Sequence, residues 1–293
     1  MIDQLYDYRR KAIYHLNKRL HRRPTSHPFI SGDTFRALAD IQIDTVDDLN
    51  NLFDCQTTTI IFCVTDLVDK FINIGLKKIK NKFILITHNS DHSVHNEVEE
   101  LLDSDCLVHW FAQNNTINHQ KITSIPIGLE NLSYYNNGRP DEFIKYRSIA
   151  KNQQNRILCG FSIHTNVVER TMAQQALRAF ELSDFLKTSA RDYKKLLASY
   201  RFVASPPGNG PDCHRTWEAL YLGTIPIVIG KEFYQRFTDF PGIVLDRWEE
   251  LLEFNERDLH EAYAIHTTRL ESAAYIWMPY WEKIISGLKN QNR

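Results

Sequence analysis

The apolar positions of this 293-residue chain fall into short β-branched runs, separated by charged segments with helical spacing. Such apolar runs are typical of strands that are buried on both faces of a parallel sheet. In the first half the pattern predicts four strands, at Thr58–Thr65, Lys82–Thr87, Cys106–Phe111 and Ile122–Ile127. Helices are predicted between them, at Asp66–Lys80 and Val94–Leu102. The alternation favours an α/β fold with a parallel sheet.

The same alternation restarts after a polar stretch, residues 131–155, whose Asn-Gly and Arg-Pro pairs are typical of a linker. The second half is predicted to form strands at Arg156–Ile163, Phe202–Ser205, Ile225–Ile229 and Ile243–Leu245. Helices are predicted at Val167–Leu182 and, after a capping box of Ser189 and Asp192, at Tyr193–Tyr200. We therefore expect two α/β domains, residues 1–150 and 151–270, followed by a C-terminal segment, residues 271–293.

Composition narrows the class of protein. The formal net charge of −1 argues against a nucleic-acid binder, which usually carries a basic excess. Five cysteines without a CxxC pair fit reduced thiols and argue against structural zinc. The chain has no apolar run of membrane-spanning length and no signal-peptide core at its start, so we expect a cytoplasmic protein with at most peripheral membrane association.

The most informative stretch is Tyr200–Gly230, which predicts a strand, a glycine loop, a helix and a returning strand. The loop contains Pro207, Gly208, Asn209 and Gly210, and Asp212 is predicted to cap a helix that ends at Gly223. Backbone N–H groups at such a helix start favour a phosphate or diphosphate.

Two charged residues share the face of this predicted helix. Arg215 lies in the first turn, where its guanidinium could bind a diphosphate, and Glu218 follows three positions later. A carboxylate there could accept hydrogen bonds from ribose or sugar hydroxyls. The alternative is a loop that only connects two elements of a βαβ unit.

The run PPGNGPDCHRTWEALYLGTIPIV resembles the donor-binding signature of exostosin-like glycosyltransferases, over about 30 residues. The resemblance implies a GT-B fold, in which two Rossmann-like domains face a cleft and the last helix crosses back to the first domain. It also implies a nucleotide-sugar substrate, UDP- or GDP-linked, a glycan or lipid-linked glycan acceptor, and an inverting transfer without a cofactor. The donor site would then be lined by Gly208, Asn209, Gly210, His214, Arg215 and Glu218.

An inverting transfer needs a general base, which the first domain is expected to supply. The candidates are Asp33, His88 and Asp91, because the segments SGDTFR and THNSDH stand at the ends of apolar runs, where open sheets bind ligands. Asp33 could instead cap a helix over residues 34–39, His88 could be satisfied inside the fold, and Asp91 could form a turn. Gln113, after the next strand, could bind sugar hydroxyls.

Three further expectations concern the donor phosphates, a metal ion and a non-catalytic role. Ser162 and Thr165 follow the first strand of the second domain and could touch the donor phosphates, although capping is as good an explanation for Thr165. The Asp-x-Asp pair of Asp103 and Asp105 follows a helix-like segment instead of a strand, so we predict no catalytic metal. A non-catalytic module that binds a nucleotide sugar or a glycan is the alternative to an enzyme.

Overall fold

The computed structural model describes residues 12–13, 15–17, 19–20, 22–52, 57–94, 98–134, 137–148 and 152–292. Cys55 lies outside these ranges, and the four described cysteines are free thiols. Within the same ranges, no helix is both long enough and apolar enough to cross a lipid bilayer.

The first half forms a five-stranded sheet in which every neighbouring pair is parallel. The strands follow one another across the sheet in chain order: β1 (Ile41–Ile43), β2 (Thr59–Val64), β3 (Phe83–His88), β4 (Leu107–Ala112) and β5 (Ile122–Ser124). Sequence periodicity predicts β2 to β5 but misses β1, since three residues are too few to show a pattern.

The second half forms a separate five-stranded parallel sheet with a different strand order. Its strands are β6 (Gln154–Cys159), β7 (Ser183–Phe185), β8 (Tyr200–Ala204), β9 (Ile225–Ile229) and β10 (Ile243–Leu245). They lie side by side in the order β10-β9-β8-β6-β7. After β6, the chain therefore forms β7 on one side of β6 and then crosses over to form β8 on the other side.

Helices cover the sheets. The α-helices are α1 (Gly32–Arg36), α2 (Val46–Asn50), α3 (Val68–Lys70), α4 (Glu99–Leu102), α5 (Pro140–Arg147), α6 (Val167–Ala179), α7 (Ala190–Leu197), α8 (His214–Leu222), α9 (Lys231–Tyr234), α10 (Glu256–Ser272) and α11 (Met278–Gln291). Six 3₁₀ turns occur at Thr65–Leu67, Leu76–Lys78, Leu132–Tyr134, Ile163–Thr165, Trp248–Glu253 and Ala274–Ile276 in the described chain, and a π turn at Phe71–Gly75.

Successive side chains of a strand point to opposite faces, and this alternation gives the first sheet two apolar layers. Ile60 and Phe62 pack on one face with Met278, Trp281 and Ile285 of α11. On the other face, Ile61 and Cys63 pack with Leu49, Val68 and Phe71. The C-terminal helix thus completes the core of the first sheet, and the predicted class, α/β with two Rossmann-like parallel sheets and a helix that crosses back, is confirmed.

Two predicted helices of the first half differ from the structure. The segment predicted at Asp66–Lys80 is helical but changes between 3₁₀, α and π geometry. Of the segment predicted at Val94–Leu102, residues Glu99–Leu102 are helical, whereas Val94 pairs with Asn115 in a parallel bridge; residues 95–97 lie outside the described ranges. Tertiary contacts override the local preference in both segments.

Candidate functional site

The second sheet has a topological switch point between β6 and β8, because the two strands that follow β6 lie on opposite sides of it. In open parallel sheets, ligands bind in the crevice beyond the carboxyl ends of the strands at such a point. A cavity of about 530 Å³ opens there, lined by Gly160 after β6 and by Gly208, Asn209 and Gly210 after β8. We call it the second-sheet cavity.

The glycine loop after β8 contacts the start of α6 on one side and the first half of the chain on the other. Asn166 donates from its side-chain amide to the carbonyl of Gly208 at 2.9 Å, and Arg170 donates through Nε to the carbonyl of Pro207 at 2.9 Å. A Cβ at Gly210 would lie 2.8 Å from the backbone carbonyl oxygen of Asp91, so the first half of the chain approaches too closely for a side chain here unless the backbone shifts.

Two guanidinium groups line the cavity; neither forms an ion pair with a carboxylate among the described residues, although the charge of Glu218 acts on Arg215. Arg215 donates to the hydroxyl of Tyr193 at 3.2 Å and to the carbonyl of Gly160 at 3.4 Å. The second guanidinium, of Arg170, donates to the carbonyl of Ser162 at 2.7 Å. None of their hydrogen bonds reaches a carboxylate among the described residues, and burial, followed by the charge of Arg215, lowers the pKa of Arg170. The site is therefore arranged for a ligand with more than one negative charge.

The carboxylate of Glu218 lies one turn along α8 from His214. Its side chain is buried, yet it lines the cavity and forms no hydrogen bond within the described chain. Burial raises the pKa of Glu218, while the charges of Lys194, His214 and Arg215 act in the opposite direction. Its oxygens remain available to accept hydrogen bonds from ligand hydroxyls.

Thr165 also lines the second-sheet cavity, whereas Ser162 contributes its backbone carbonyl to Arg170. The N-cap of α6 is Asn166, whose side chain accepts from the backbone N–H of Glu169 at 3.3 Å. Helix α6 starts at Val167, and Arg170 reaches the cavity from its first turns. The sequence shows this arginine, but it does not show that the side chain folds back to the loop.

The prediction that Asp212 caps α8 is wrong. The N-cap position is Cys213, and both carboxylate oxygens of Asp212 accept from the indole N–H of Trp217, at 2.7 and 2.9 Å. Asp212 also accepts from the backbone N–H of Ile127 at 2.8 Å, which joins the two halves of the chain. Burial raises the pKa of Asp212 to about 7. The C-cap is as predicted, because Gly223 has a φ of 80°.

A second cavity, of about 350 Å³, lies at the carboxyl end of β3. We call it the first-sheet cavity. It shares four lining residues with the second-sheet cavity: Asp91, Ile127, Glu130 and His214. We call the region around these four residues the junction, because ligands bound in the two cavities would meet there.

The ring of His214 is oriented by a backbone group. Its Nδ1 lies 2.8 Å from the carbonyl oxygen of Gly128. Because a carbonyl oxygen only accepts, Nδ1 carries a proton, and Nε2 forms no hydrogen bond within the described chain. His214 therefore presents Nε2 at the junction, a role that the sequence did not suggest.

The three first-half base candidates take different positions. Asp91 stands at the junction and accepts from Nδ2 of Asn209 at 2.9 Å. Asp33 lines neither of the two joined cavities; it accepts from the hydroxyl of Ser133 at 3.2 Å and from Arg23 at 3.4 Å, and burial raises its pKa.

Asp33 does not cap its helix, since the N-cap of α1 is Ser31, whose side chain accepts from the backbone N–H of Thr34. His88 lines the first-sheet cavity, and both of its ring nitrogens have a hydrogen-bond partner. Its Nε2 is 3.2 Å from the carbonyl oxygen of Pro126, and its Nδ1 accepts from the backbone N–H of Asn89 at 2.8 Å. Burial lowers the pKa of His88 to about 4, so it is neutral near pH 7.

No group of three His, Cys, Asp or Glu side chains converges in the part of the chain that the structure describes. Asp103 is the C-cap of α4, and Asp105 follows in an exposed turn before β4. Neither lines the two joined cavities. Metal independence stays a prediction.

Comparison with known proteins gives similarity of overall structure only. No protein-family model matches the chain, and no curated protein matches its sequence. Three similar solved structures are the pneumococcal O-GlcNAc transferase GtfA in complex with UDP and GlcNAc, TarM, and the GtfA/B complex.

Sequence identity to these three is 9%, 10% and 14%, with TM-scores of 0.42, 0.41 and 0.40. They cover 83%, 79% and 84% of this chain, but 59%, 54% and 59% of their own chains, so this chain spans less than two thirds of their length. Similarity at this level does not identify residues with a shared role.

Proposed function

We propose that the protein is a glycosyltransferase that moves a sugar from a nucleotide-sugar donor to a hydroxyl of a glycan. The observation that carries the proposal is the pair Arg170 and Arg215, two cations without a described carboxylate partner beside a glycine loop and the start of α8. A diphosphate is an anion that both guanidinium groups can bind, and the resemblance of the loop to exostosin-like glycosyltransferases supports a nucleotide sugar as its source.

The donor has a defined orientation in this proposal. Its diphosphate lies between the two arginines and the start of α8, where developing negative charge is stabilised. Its ribose or sugar hydroxyls donate to Glu218, which is unpartnered and lines the same cavity. The reacting sugar carbon then points to the junction with the first-sheet cavity, which holds the acceptor.

We assign the general base to His214. The acceptor hydroxyl gives its proton to Nε2 while its oxygen forms a bond to the sugar carbon, and the bond from that carbon to the diphosphate oxygen breaks with its electrons on the leaving group. Arg215 stabilises the charge on the departing diphosphate. The hydrogen bond to Gly128 keeps the other ring nitrogen protonated and the ring in place.

Asp91 is the second candidate base, because it also faces both cavities. One of its oxygens accepts from Asn209, so it is as well placed to hold the loop as to take a proton. A direct attack assisted by a single base gives inversion at the sugar carbon, which agrees with the expectation from the resemblance. The cytoplasmic location and peripheral membrane association remain predictions.

The first experiment is a thermal-shift screen of nucleoside mono- and diphosphates and nucleotide sugars, since a ligand that binds the folded state raises the midpoint of unfolding. We expect a shift with one nucleoside diphosphate and with its sugar conjugates. Failure of every diphosphate to shift the midpoint would contradict the proposal.

The second experiment separates the bases and the non-catalytic alternative. His214→Ala and Asp91→Asn are compared for donor affinity and for transfer to a mixed glycan acceptor. The true base is the residue whose loss leaves donor binding nearly intact and lowers kcat by about 100-fold or more. Tight donor binding by the unmodified protein with neither donor hydrolysis nor transfer would favour the binding module.

A further inference from the structure

The first-sheet cavity carries chemistry of its own. Two side-chain amides that line it each have one polar atom in a hydrogen bond and one polar atom without a hydrogen-bond partner among the described residues. Gln113 donates through Nε2 to the carbonyl of Ser90 at 2.9 Å, which leaves its Oε1 buried without a partner. Asn89 accepts at Oδ1 from Nδ2 of Asn131 at 2.8 Å, which leaves its own Nδ2 buried without a partner.

These orphaned atoms are complementary. Oε1 of Gln113 is an acceptor and Nδ2 of Asn89 is a donor, and both belong to residues that line the cavity. Gln113 is buried to 1% exposure, so its free oxygen is not satisfied at an open surface. Buried polar groups are normally hydrogen-bonded. Both atoms are almost closed to solvent, so each takes a partner only after a small movement of its side chain, and a sugar hydroxyl, which can both donate and accept, is suited to either.

The charge of this cavity has one sign. Among the described residues that line it, the carboxylates are those of Asp66, Asp91 and Glu130, and no lysine or arginine is present. The second-sheet cavity is also lined by carboxylates, of Asp91, Glu130, Asp212 and Glu218, but it contains the guanidinium groups of Arg170 and Arg215 as well. His92 lies 3.8 Å from Asp66 at the exposed edge of the cluster. A ligand with its own negative charge is therefore repelled from the first-sheet cavity, whereas in the second-sheet cavity it finds two guanidinium groups to pair with.

An aromatic side chain stands at the exit. The side chain of Tyr134 is 64% exposed, in the 3₁₀ turn Leu132–Tyr134. It lines the first-sheet cavity and also a third cavity, of about 640 Å³, which we call the outer cavity. An exposed ring at the boundary of two polar cavities suits stacking against the apolar face of a sugar ring.

We infer that the first-sheet cavity is the subsite for the accepting sugar, and that it selects a neutral or amino sugar over an acidic one. The inference rests on the proposed function, and it adds the chemical class of the acceptor. The free amide atoms bind hydroxyls of the sugar, the three carboxylates exclude uronic acids and phosphorylated sugars from this position, and the next sugar of the chain passes Tyr134 towards the outer cavity.

The test compares three acceptors of the same ring geometry: a methyl glucoside, its 2-amino derivative and its uronic acid. Transfer from the donor is measured, and binding of each sugar in the presence of the nucleoside diphosphate is measured by saturation-transfer NMR. We expect the uronic acid to be at least about tenfold poorer than the other two in both measurements. Equal or better use of the uronic acid, or binding of none of the three sugars, would overturn the inference.

A charge reversal makes the test specific. Asp66→Lys is expected to raise the preference for the uronic acid relative to the neutral sugar by roughly tenfold at low ionic strength, and less at high salt. Asp69→Lys is the matched control, because Asp69 is exposed on the following helical turn and does not line the cavity. A ratio that changes equally in both variants, or in neither, would contradict the assignment of the cavity.

Replacement of the exposed ring gives a second readout. Tyr134→Ala should raise KM for an oligosaccharide acceptor several-fold more than KM for a monosaccharide, with an unchanged donor affinity, and an equal effect on both acceptors would contradict the stacking role. If the protein binds no nucleoside diphosphate at all, the proposed function fails. If donor turnover is intact but uronic acids are accepted as well as neutral sugars, only the present inference fails.

Discussion

Arg215→Gln tests whether the guanidinium group of Arg215 binds a diphosphate. The substitution removes the charge and keeps a polar side chain of moderate length. Within the described part of the chain, Arg215 makes two long hydrogen bonds, of 3.2 Å to the hydroxyl of Tyr193 and 3.4 Å to the carbonyl of Gly160. It also lies in the field of Arg170, whose pKa it lowers. Loss of the bonds and relief of the repulsion act in opposite directions on stability.

The expected magnitudes therefore differ between stability and binding. The free energy of unfolding of the unliganded protein should change by no more than about 1 kcal/mol, which is the size of a single ordinary hydrogen bond. Hydrogen bonds to charged groups contribute about 1.5–3 kcal/mol. The affinity for the nucleoside diphosphate should then fall by about 10-fold to 150-fold, and kcat/KM by on the order of 100-fold or more.

Calorimetric titration with the nucleoside diphosphate, and urea denaturation without ligand, measure the two quantities. Arg201→Gln is the matched control. Arg201 lies near the amino end of β8, the strand whose carboxyl end carries the loop, and bonds to Asn155 and His260 instead of lining the cavity. A dissociation constant for Arg215→Gln within about threefold of the unmodified protein, a difference of less than about 1 kcal/mol, would refute the diphosphate role.

Three further predictions follow from the same geometry. Glu218→Gln should weaken the binding of the nucleotide sugar at least about tenfold in calorimetry, because the unpartnered carboxylate accepts hydroxyl protons; an unchanged affinity would contradict that. Activity should survive an excess of EDTA, and loss on chelation that Mn²⁺ or Mg²⁺ restores would revive Asp103 and Asp105 as ligands. His88, with its pKa lowered from 6.5 to about 4, stabilises the fold above pH 6.5, and this contribution is lost as the pH falls towards 4. His88→Gln should reduce the stability difference between these pH values by up to about 3 kcal/mol in urea denaturation, and an unchanged slope would contradict a buried neutral ring.

Local pattern was sufficient for the elements that build the site. The prediction of β9 at Ile225–Ile229 and of β10 at Ile243–Leu245 matches the structure residue for residue, because apolar β-branched runs bounded by polar positions specify buried strands. The helix end at Gly223 was also predictable, since a left-handed backbone strongly favours glycine. Within this segment, the order of strand, glycine loop and helix places Arg215 at a helix start without any distant contact.

Long-range contacts decided which side chains meet. Asp212 was predicted to be a helix cap from its local position, but it accepts instead from the backbone N–H of Ile127, 85 positions earlier. His214 has its tautomer set by Gly128, 86 positions earlier, and Asp91 reaches Asn209 across 118 positions. No local periodicity records such distances, because they depend on how the loops of the two sheets face one another.

The contrast between local pattern and long-range contacts also explains why the three base candidates end up in different environments. Asp33, His88 and Asp91 look equivalent in the sequence, as polar residues near the ends of apolar runs. Burial separates them, since Asp33 and His88 are enclosed by partners and Asp91 remains at the cleft. Two parallel sheets and the glycine loop of the second follow from local sequence pattern, whereas the place where the two cavities join depends on tertiary structure, because that junction is made by residues from both halves of the chain.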